Sequence, residues 1–205
     1  MKLYLIRHAE SANNAIFTSG GDWRDRSSDP EITETGHRQA ALLGPHFANQ
    51  SAEPRQNPFA VDEDHSFGIT HLYCSLMTRS ILTAEYISKA CNLPLQAHEN
   101  LFEKGGIYEL QEGGGRKGLP GRDKSYFDTR FPALRLPENF NATGWYNRPA
   151  ETTEEFLDRM KIAVSDIRQR HEHSDDVVAL VVHGDFIDQF INELLGIKRK
   201  PENYG

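Results

Sequence analysis

Cysteine and net positive charge are both scarce in this chain of 205 residues. The two cysteines, Cys74 and Cys91, lie in apolar contexts and form neither a metal-ligand spacing nor a disulfide pattern. Acidic residues outnumber basic ones by 30 to 23, so the formal net charge is −7. A surface that binds nucleic acid or an anionic membrane needs a basic face, so this balance argues against both kinds of partner.

Long apolar runs and a signal-peptide pattern are also missing, which makes the cytoplasm the expected compartment and a membrane role unexpected. The remaining composition, with 38% hydrophobic and 26% charged residues, is typical of a soluble globular protein. A chain of this length can form one domain with a sizeable core, and no repeat or low-complexity tract divides it. We therefore predict a single domain over residues 1–205.

Apolar segments typical of strands alternate with amphipathic segments typical of helices. Strands are predicted before Arg7 and at residues 69–74, 94–97 and 177–182. Helices are predicted at about 34–49, after Ser75, at 126–131, from Thr152 to about His171, and after Gly184. The run 177–182 is wholly apolar and indicates a central strand buried on both faces of a sheet. This alternation predicts a layered α/β domain.

Three stretches lack any periodic pattern and are interpreted as loops. Residues 15–29 and 50–68 are mostly polar, and residues 104–122 form an irregular glycine-rich insertion, either a lid or a flexible segment. The run Gly113-Gly114-Gly115 lacks the Gly-Lys-Ser/Thr continuation of a phosphate-binding Walker loop.

Polar side chains follow the predicted strands where each strand ends. Arg7 and His8 follow the first, Arg79 lies just beyond the second, His183 follows the last, and Glu103 ends a fourth segment. Taken alone, each has an ordinary interpretation as a surface or edge-strand residue. Because sites of open α/β sheets gather beyond the carboxyl ends of the strands, the set together predicts a functional site. The helix amino terminus near Arg79 is also suited to an anion.

Four segments resemble the histidine phosphatase superfamily, which includes the cofactor-dependent phosphoglycerate mutases. They are, in order, Arg7-His8-Ala9-Glu10-Ser11 with Asn14, Ile32-Thr33-Glu34-Thr35-Gly36 with Gln39-Ala40, Tyr73-Cys74-Ser75-Leu76-Met77-Thr78-Arg79 with Thr83-Ala84, and Val182-His183-Gly184. Ala9 departs from the glycine usual in the first motif. The resemblance implies the phosphoglycerate mutase-like fold, a three-layer sandwich with a mostly parallel central sheet and helices on both faces.

The resemblance also implies a phosphate pocket. His8 is then the nucleophile that becomes phosphorylated, and Arg7, Arg79 and His183 complete the pocket with help from Asn14. Arginine suits this role because its guanidinium is always charged and binds phosphate in a bidentate way. These residues, with His183 expected to be protonated, offset the charge of a transferring phosphoryl group, so neither a metal nor a cofactor is implied.

Glu103 best matches the proton donor of the family, and Glu109 and Glu112 are rival candidates. To act as an acid near neutral pH, Glu103 needs a raised pKa. His8 must present an unprotonated nitrogen to phosphorus, so its other nitrogen is expected to donate to a backbone carbonyl.

The resemblance leaves the reaction open between hydrolysis of a phosphomonoester and a mutase-type phosphoryl transfer. The mutases continue past their acid with an Arg-His-Tyr-Gly-Gly-Leu-type segment, whereas this chain has Lys104-Gly105-Gly106-Ile107-Tyr108, which favours the phosphatase. A non-catalytic domain that binds phosphorylated ligands is the alternative from another class. It is disfavoured because His8, Arg79 and His183 are all present, and a zinc hydrolase is disfavoured because the histidines lack ligand spacing.

The expected partner is a phosphorylated small molecule of unidentified structure. Lys104, Arg116, Arg122 and Arg148 are each candidates for binding a second anionic group or for ordinary surface charge. The aromatic candidates for a pocket wall or a structural role are Phe17, Trp23, Trp145 and Tyr146. His171 and His173 are expected to interact with a helix dipole rather than a metal. The oligomeric state is open, a homo-oligomer included. The family usually has a further strand or two beyond this C-terminus, so we expect either an incomplete sequence or a shorter sheet.

Overall fold

The structure, a computed structural model, describes residues 1–48 and 67–197. Its central sheet contains four strands: β1 (Lys2–Arg7), β2 (His71–Cys74), β3 (Leu95–Ala97) and β6 (Val177–Val182). Their order across the sheet is β1-β6-β2-β3, and every pairing is parallel. The carboxyl ends of β1, β6 and β2 therefore meet at one edge.

Six helices and a small hairpin surround this sheet in the described part of the chain. The helices are α1 (Ala12–Ser19), α2 (Glu34–Ala48), α3 (Thr78–Cys91), α4 (Lys124–Arg130), α5 (Thr153–His171) and α6 (Gly184–Leu194). The hairpin consists of the antiparallel strands β4 (Tyr108–Leu110) and β5 (Arg116–Gly118). No helix within residues 1–48 and 67–197 is long and apolar enough to cross a membrane.

The two faces of the sheet support separate apolar clusters. Alternate side chains of β6 point to opposite faces. Ala179 and Val181 pack with buried residues of α2 and α3, whereas Val178, Leu180 and Val182 pack with buried residues of α5 and α6. This arrangement explains why every residue of β6 is apolar, and it confirms the predicted three-layer α/β architecture.

The prediction of a loop over residues 15–29 is wrong at its start, because α1 extends to Ser19. Ser11 and Asn14 form a capping box at its amino end, and Gly20, with φ at +70°, ends it. A helix of eight residues with only Asn13 buried has no apolar face, and for that reason no periodicity was visible.

The glycine-rich insertion is also more regular than predicted. Residues 108–118 form the β4–β5 hairpin, and Gly113 and Gly114 adopt φ values of +90° and +87° in its turn. Glycine reaches this left-handed region without the steric cost that other residues have. Most of the loop predicted at 50–68 lies outside the described residues.

The helix predicted from Thr152 to about His171 is confirmed, including its capping box with Glu155. The helix-dipole interpretation of His171 is incomplete. Its Nδ1 lies 2.8 Å from Asp176 Oδ2, and its Nε2 lies 3.1 Å from the Tyr73 hydroxyl. These side-chain partners, rather than the helix carbonyls alone, fix the ring.

Candidate active site

The carboxyl edge of the sheet brings the predicted phosphate-binding residues together. Arg7 ends β1, His8 follows it, His183 follows β6, and Arg79 lies in the first turn of α3 beyond β2. Arg79 Nε donates a hydrogen bond to His8 Nε2 at 3.1 Å. The rings of His8 and His183 lie with centroids 5.1 Å apart. The convergence expected from strand ends is therefore present in the structure.

The His8 ring has a fixed tautomer. Its Nδ1 lies 2.7 Å from the carbonyl oxygen of Ala9, which can only accept, so Nδ1 carries the hydrogen. The lone pair is left on Nε2, where it meets Arg79. Burial and, secondarily, the Arg79 charge lower the pKa of His8 to about 3. The imidazole is thus neutral at neutral pH and keeps a lone pair on Nε2. The expected hydrogen bond from its other nitrogen to a backbone carbonyl is confirmed.

His183 is fully buried behind His8 and is not among the residues that line the cavity. Its Nε2 lies 2.7 Å from Ser75 Oγ, while its buried Nδ1 has no hydrogen-bond partner in the described part of the chain. Burial and the nearby Arg79 hold the pKa of His183 well below its usual range. The prediction that His183 is protonated is therefore wrong for the free site, because burial and fixed cations oppose a further positive charge.

Glu103 is held against the amino end of α6. Its Oε1 accepts from the backbone N–H groups of Lys104 at 2.9 Å and Phe186 at 3.1 Å, and its Oε2 accepts from that of Asp185 at 3.3 Å. Burial, and then the neighbouring Asp185 carboxylate, raises the pKa of Glu103, as expected for a general acid.

The rival acids lie elsewhere. Glu109 forms an ion pair with Lys117 across the hairpin at 3.0 Å. Glu109 and Glu112 both line an outer cleft and are not among the residues that line the cavity around His8. Among the three candidates, only Glu103 lines that cavity together with His8.

A buried ion pair supports the loop that carries Glu103. Arg159 of α5 binds both carboxylate oxygens of Glu151, at 2.7 and 2.8 Å. The same guanidinium donates to the carbonyls of Asn100 and Phe102 at 2.8 and 2.9 Å, and Glu151 accepts from the Gly105 N–H at 3.3 Å. The sequence analysis missed both charged residues because their partners are backbone groups about 50 positions away.

The cavity beside His8, the candidate catalytic cavity, has a volume of about 360 Å³. Five of the residues predicted for the site line this cavity, namely Arg7, His8, Asn14, Arg79 and Glu103. The other lining residues are Ser11, Asn13, Arg26, Ser28, Pro30, Lys104, Gly106, Tyr108, Arg116 and Asp185. Of these, Arg26 carries a charge that no sequence motif indicated.

The four cations considered for a second anionic group separate into two pairs. Lys104 and Arg116 line the catalytic cavity. Arg122 instead lies 3.9 Å from the buried Asp29 carboxylate, and Arg148 lies over the rings of Phe102 and Tyr146. Arg122 and Arg148 are therefore engaged with residues of the protein itself, and they do not line the cavity in which a substrate would bind.

The aromatic candidates are largely structural. Tyr146 packs in a buried cluster with Met77 and Phe102, with Trp145 against it. The Tyr146 hydroxyl donates to backbone carbonyls of Gly105 and Pro149, the first of which lies in the Glu103 loop. Phe17 is 79% exposed and borders a smaller cleft beside His8.

The amino end of α3 is occupied by a carboxylate of the chain itself. Asp29 accepts from the Thr78 N–H at 3.0 Å and from the Thr78 hydroxyl at 2.7 Å. Burial raises the pKa of Asp29, while these hydrogen bonds and the Arg79 charge oppose that rise. The expectation that this helix end binds an external anion is thus corrected, because an internal one already fills it.

One group of possible metal ligands occurs in the described ranges, namely His71, His171 and Asp176. It lies at the amino edge of the sheet, where β2 begins and β6 is entered, and so at the opposite edge from His8. The expectation of a catalytic site without a metal stays a prediction.

The arrangement can support phosphoryl transfer. A neutral imidazole nitrogen faces a cavity that is also lined by four arginines, of which Arg7 and Arg79 are nearest to it along the strand ends, and by a carboxyl group whose pKa is raised. These are a nucleophile, fixed positive charge for the phosphoryl oxygens, and a proton donor.

Comparisons with known proteins agree with this geometry. The sequence model described as "Histidine phosphatase superfamily (branch 1)" matches residues 3–55 and 60–203. A protein of Photorhabdus laumondii named probable phosphoglycerate mutase GpmB is 26% identical over 98% of this chain and 78% of its own length. A protein of the same name from Yersinia pestis is 32% identical over 50% of this chain, a match that spans only 38% of that relative.

Solved structures show the same fold. The ecdysone phosphate phosphatase of Bombix mori, in complex with tungstate, superposes with a TM-score of 0.63 at 16% identity, over 99% of this chain and 80% of that one. A mycobacterial glucosyl-3-phosphoglycerate phosphatase superposes with a TM-score of 0.54 at 19% identity, over 96% and 80% of the two chains.

Proposed function

The chain belongs to the histidine phosphatase superfamily, branch 1, and from that premise we propose that it hydrolyses phosphomonoesters of small molecules through a phosphohistidine on His8. One observation carries the proposal. The Ala9 carbonyl fixes the hydrogen on Nδ1, so the Nε2 lone pair of a neutral His8 lies beside the Arg79 guanidinium. A nucleophile and the charge that would hold its target are thereby adjacent before substrate binds.

In the first step, His8 Nε2 attacks the phosphorus atom and the bond to the ester oxygen breaks. Arg79 shifts its hydrogen bond from Nε2 to a phosphoryl oxygen, and Arg7 offsets further charge on the equatorial oxygens. Glu103 donates its proton to the departing alkoxide, a poor leaving group without it. The unpartnered Nδ1 of His183 gains a partner if a phosphoryl oxygen reaches it.

In the second step, water attacks the phosphohistidine and the phosphorus–nitrogen bond breaks. The Glu103 carboxylate accepts the proton of this water, so the acid of the first step is the base of the second. His8 regains its neutral form, inorganic phosphate leaves, and the site returns to its starting protonation.

A mutase-type transfer is the second candidate, and the names of the curated relatives favour it. The segment from Lys104 to Tyr108 favours hydrolysis, since it departs from the mutase pattern after the acid. The solved structures with the same fold are those of phosphatases, which supports hydrolysis as well.

Phosphorus NMR on a panel of phosphomonoesters in excess chelator tests the proposal, with His8→Ala measured in parallel and the exposed His173→Ala as matched control. We expect free phosphate from the unmodified protein and from His173→Ala, and none from His8→Ala. Isomerised ester without net phosphate release indicates the mutase. Undiminished release by His8→Ala contradicts the phosphohistidine mechanism.

A further inference from the structure

A wall of the catalytic cavity carries more positive charge than one phosphoryl group needs. Arg7 and Arg79 lie beside His8, and Arg26, Lys104 and Arg116 line the same cavity. Glu103 and Asp185 are its only acidic lining residues within the described ranges. The five cations exceed the combined charge of these two carboxylates and a single phosphoryl dianion.

Two of these guanidinium groups share one aromatic ring. The Arg26 guanidinium lies 4.3 Å from the centroid of Tyr108, and that of Arg116 lies 4.7 Å from it. Arg26 also donates to the Tyr108 carbonyl at 3.0 Å. Tyr108 and Arg116 lie on opposite strands of the β4–β5 hairpin. Stacking on a buried ring restricts both side chains before any ligand arrives, which lowers the entropy lost on binding.

The position of this arginine–tyrosine–arginine stack is at the outer side of the cavity. Arg26, Ser28 and Tyr108 line both the catalytic cavity and the adjoining outer cleft, so they stand at the boundary between the two. Arg116 approaches the acid loop closely enough that a Cβ added to Gly105 would lie 3.2 Å from its NH1. A substrate whose ester phosphate meets His8 would extend its remainder towards this stack.

Bringing two guanidinium groups onto one ring has an electrostatic cost. Burial lowers the pKa of Arg26, and the Arg116 charge lowers it further. An anion that contacts both groups offsets this repulsion, and the guanidinium fork binds carboxylate or phosphate with two parallel hydrogen bonds.

We propose that Arg26 and Arg116, stacked on Tyr108, form a subsite for a second anionic group, so that the preferred substrates are phosphomonoesters that also carry a carboxylate or a further phosphate. This inference rests on the proposed function for the position of the ester phosphate. It adds a specificity that the residues around His8 do not determine, because the stack is built from the segment after α1 and from the hairpin.

The test is a binding measurement that does not require turnover. Isothermal titration of the His8→Ala protein compares 2-phosphoglycerate with glycerol 2-phosphate, which differ in a carboxylate and a hydroxymethyl group on the same secondary ester. We expect tighter binding of 2-phosphoglycerate by about ten- to hundredfold, the range of hydrogen bonds to charged groups. Propane-1,3-diol bisphosphate against its monophosphate tests whether a phosphate replaces the carboxylate.

Variants in the same background locate the preference. Arg26→Met and Arg116→Met should each reduce the ratio of the two dissociation constants by about tenfold. Arg148→Met is the matched control, since it removes a guanidinium stacked on aromatic rings that does not line the cavity, and it should keep the ratio. Equal binding of both esters, or a ratio unaffected by either variant, overturns the subsite. Failure of the proposed hydrolysis instead appears as absent phosphate release by the unmodified protein, whatever these ratios are.

Discussion

At the scale of single residues, the protonation states follow from burial beside fixed cations. The pKa of His8 falls to about 3 and that of Glu103 rises, although both groups line one cavity. Burial disfavours the charged form of each, so the two pKa values move in opposite directions. Both shifts suit the proposed roles, since one favours an unprotonated nucleophile and the other a protonated donor.

Glu103→Gln should separate the two chemical steps. Glutamine cannot donate the proton, so turnover of alkyl phosphates is expected to fall by about a hundred- to ten-thousandfold. 4-Nitrophenyl phosphate has a good leaving group, so phosphorylation of His8 should persist while its hydrolysis, which needs the base, becomes slow. Stopped-flow absorbance should show a burst of about one nitrophenolate per active site. Equal losses on both substrate types, without a burst, would remove Glu103 from the acid–base role.

The pH dependence of alkyl phosphate turnover should show the same assignment. Glu103 acts in its protonated form in the first step, so kcat/KM declines as pH rises through its raised pKa. His8 acts unprotonated, and kcat/KM reports the free protein, so its lowered pKa means that it contributes no acidic decline until pH approaches about 3. A steady-state profile of kcat/KM that declines on the alkaline side in the unmodified protein, and not for the residual activity of Glu103→Gln, is the expected outcome. A His8-type decline near the ordinary histidine pKa of about 6.5 would contradict the burial argument.

At the scale of elements, α5 positions the acid loop from behind. The Arg159–Glu151 pair binds two loop carbonyls and one loop N–H, so the geometry of Glu103 depends on a helix that lines no part of the cavity. Arg159→Lys keeps the charge but loses the fork. We expect turnover of alkyl phosphates to decrease by about tenfold or more, with a smaller loss for 4-nitrophenyl phosphate.

The exposed Arg168→Lys on the same helix, paired with Glu172, is the matched control. A purely structural role would lower the turnover of both substrates equally and should be visible as a loss of stability, since a lysine cannot make all four hydrogen bonds of the Arg159 guanidinium. Thermal unfolding measured beside the two substrate series therefore distinguishes positioning from general destabilisation.

The contact between α2 and the turn after β1 explains the second motif. The Glu10 N–H donates to Gln39 Oε1 at 2.8 Å, and its carbonyl accepts from the Thr33 N–H at 2.9 Å. Gly36 lets the helix approach that carbonyl, because a Cβ there would lie 2.2 Å from the Glu10 oxygen. The motif thus holds the residues that follow His8.

Gly36→Ala should lower the free energy of unfolding by about 1–3 kcal/mol, the usual cost of overpacking, and reduce kcat by displacing the turn after His8. Gly115→Ala is its control, since an added Cβ there meets only Gln111 Cβ at 3.8 Å. Denaturant unfolding measures the first effect. An unchanged free energy of unfolding would mean that α2 can shift away from the Glu10 carbonyl without loss of stability, and would contradict this role of Gly36.

Local sequence patterns predicted the strands of the central sheet and the helices that pack on it. The contacts that they did not predict depend on residues that are distant in the sequence. The strands and α2, α3, α5 and α6 have apolar periods that report on burial, so the sequence indicates them. Arg26 binds a carbonyl 82 positions away, and Arg159 binds one 59 positions away. No period or spacing encodes such contacts. His183 follows β6 as predicted, but its predicted positive charge is wrong for the free site, because protonation depends on how deeply the fold buries the ring.

At the scale of the whole molecule, one parallel sheet with opposite edges separates two groups of histidines. His8 and His183 lie at the carboxyl edge among arginines, and His71 and His171 lie at the amino edge beside Asp176. A net charge of −7 therefore coexists with a strongly cationic cavity, because the fold concentrates arginines from β1, α3, the segment after α1 and the hairpin. Anion binding at the cavity should consequently be a property of the folded chain only.

Sulfate, which stays a dianion near neutral pH, should bind this cavity with uptake of protons. The free histidines are neutral because burial and arginines disfavour their cations. A bound dianion favours the protonated form and raises their pKa values, so a proton is taken up when the bound-state pKa exceeds the working pH. Sulfate affinity, and the stabilisation that sulfate gives, should therefore increase as pH decreases through the pKa values that these histidines have in the complex.

Isothermal titration at one pH in two buffers of different ionisation enthalpy measures that uptake directly. We expect a positive proton number that increases towards acidic pH and decreases in His8→Ala, since that variant removes one of the two acceptors beside the anion. His173→Ala, altered at an exposed histidine outside the cavity lining, should behave as the unmodified protein. Binding without any proton uptake across this range would mean that the arginines alone hold the anion and that both imidazoles stay neutral in the complex.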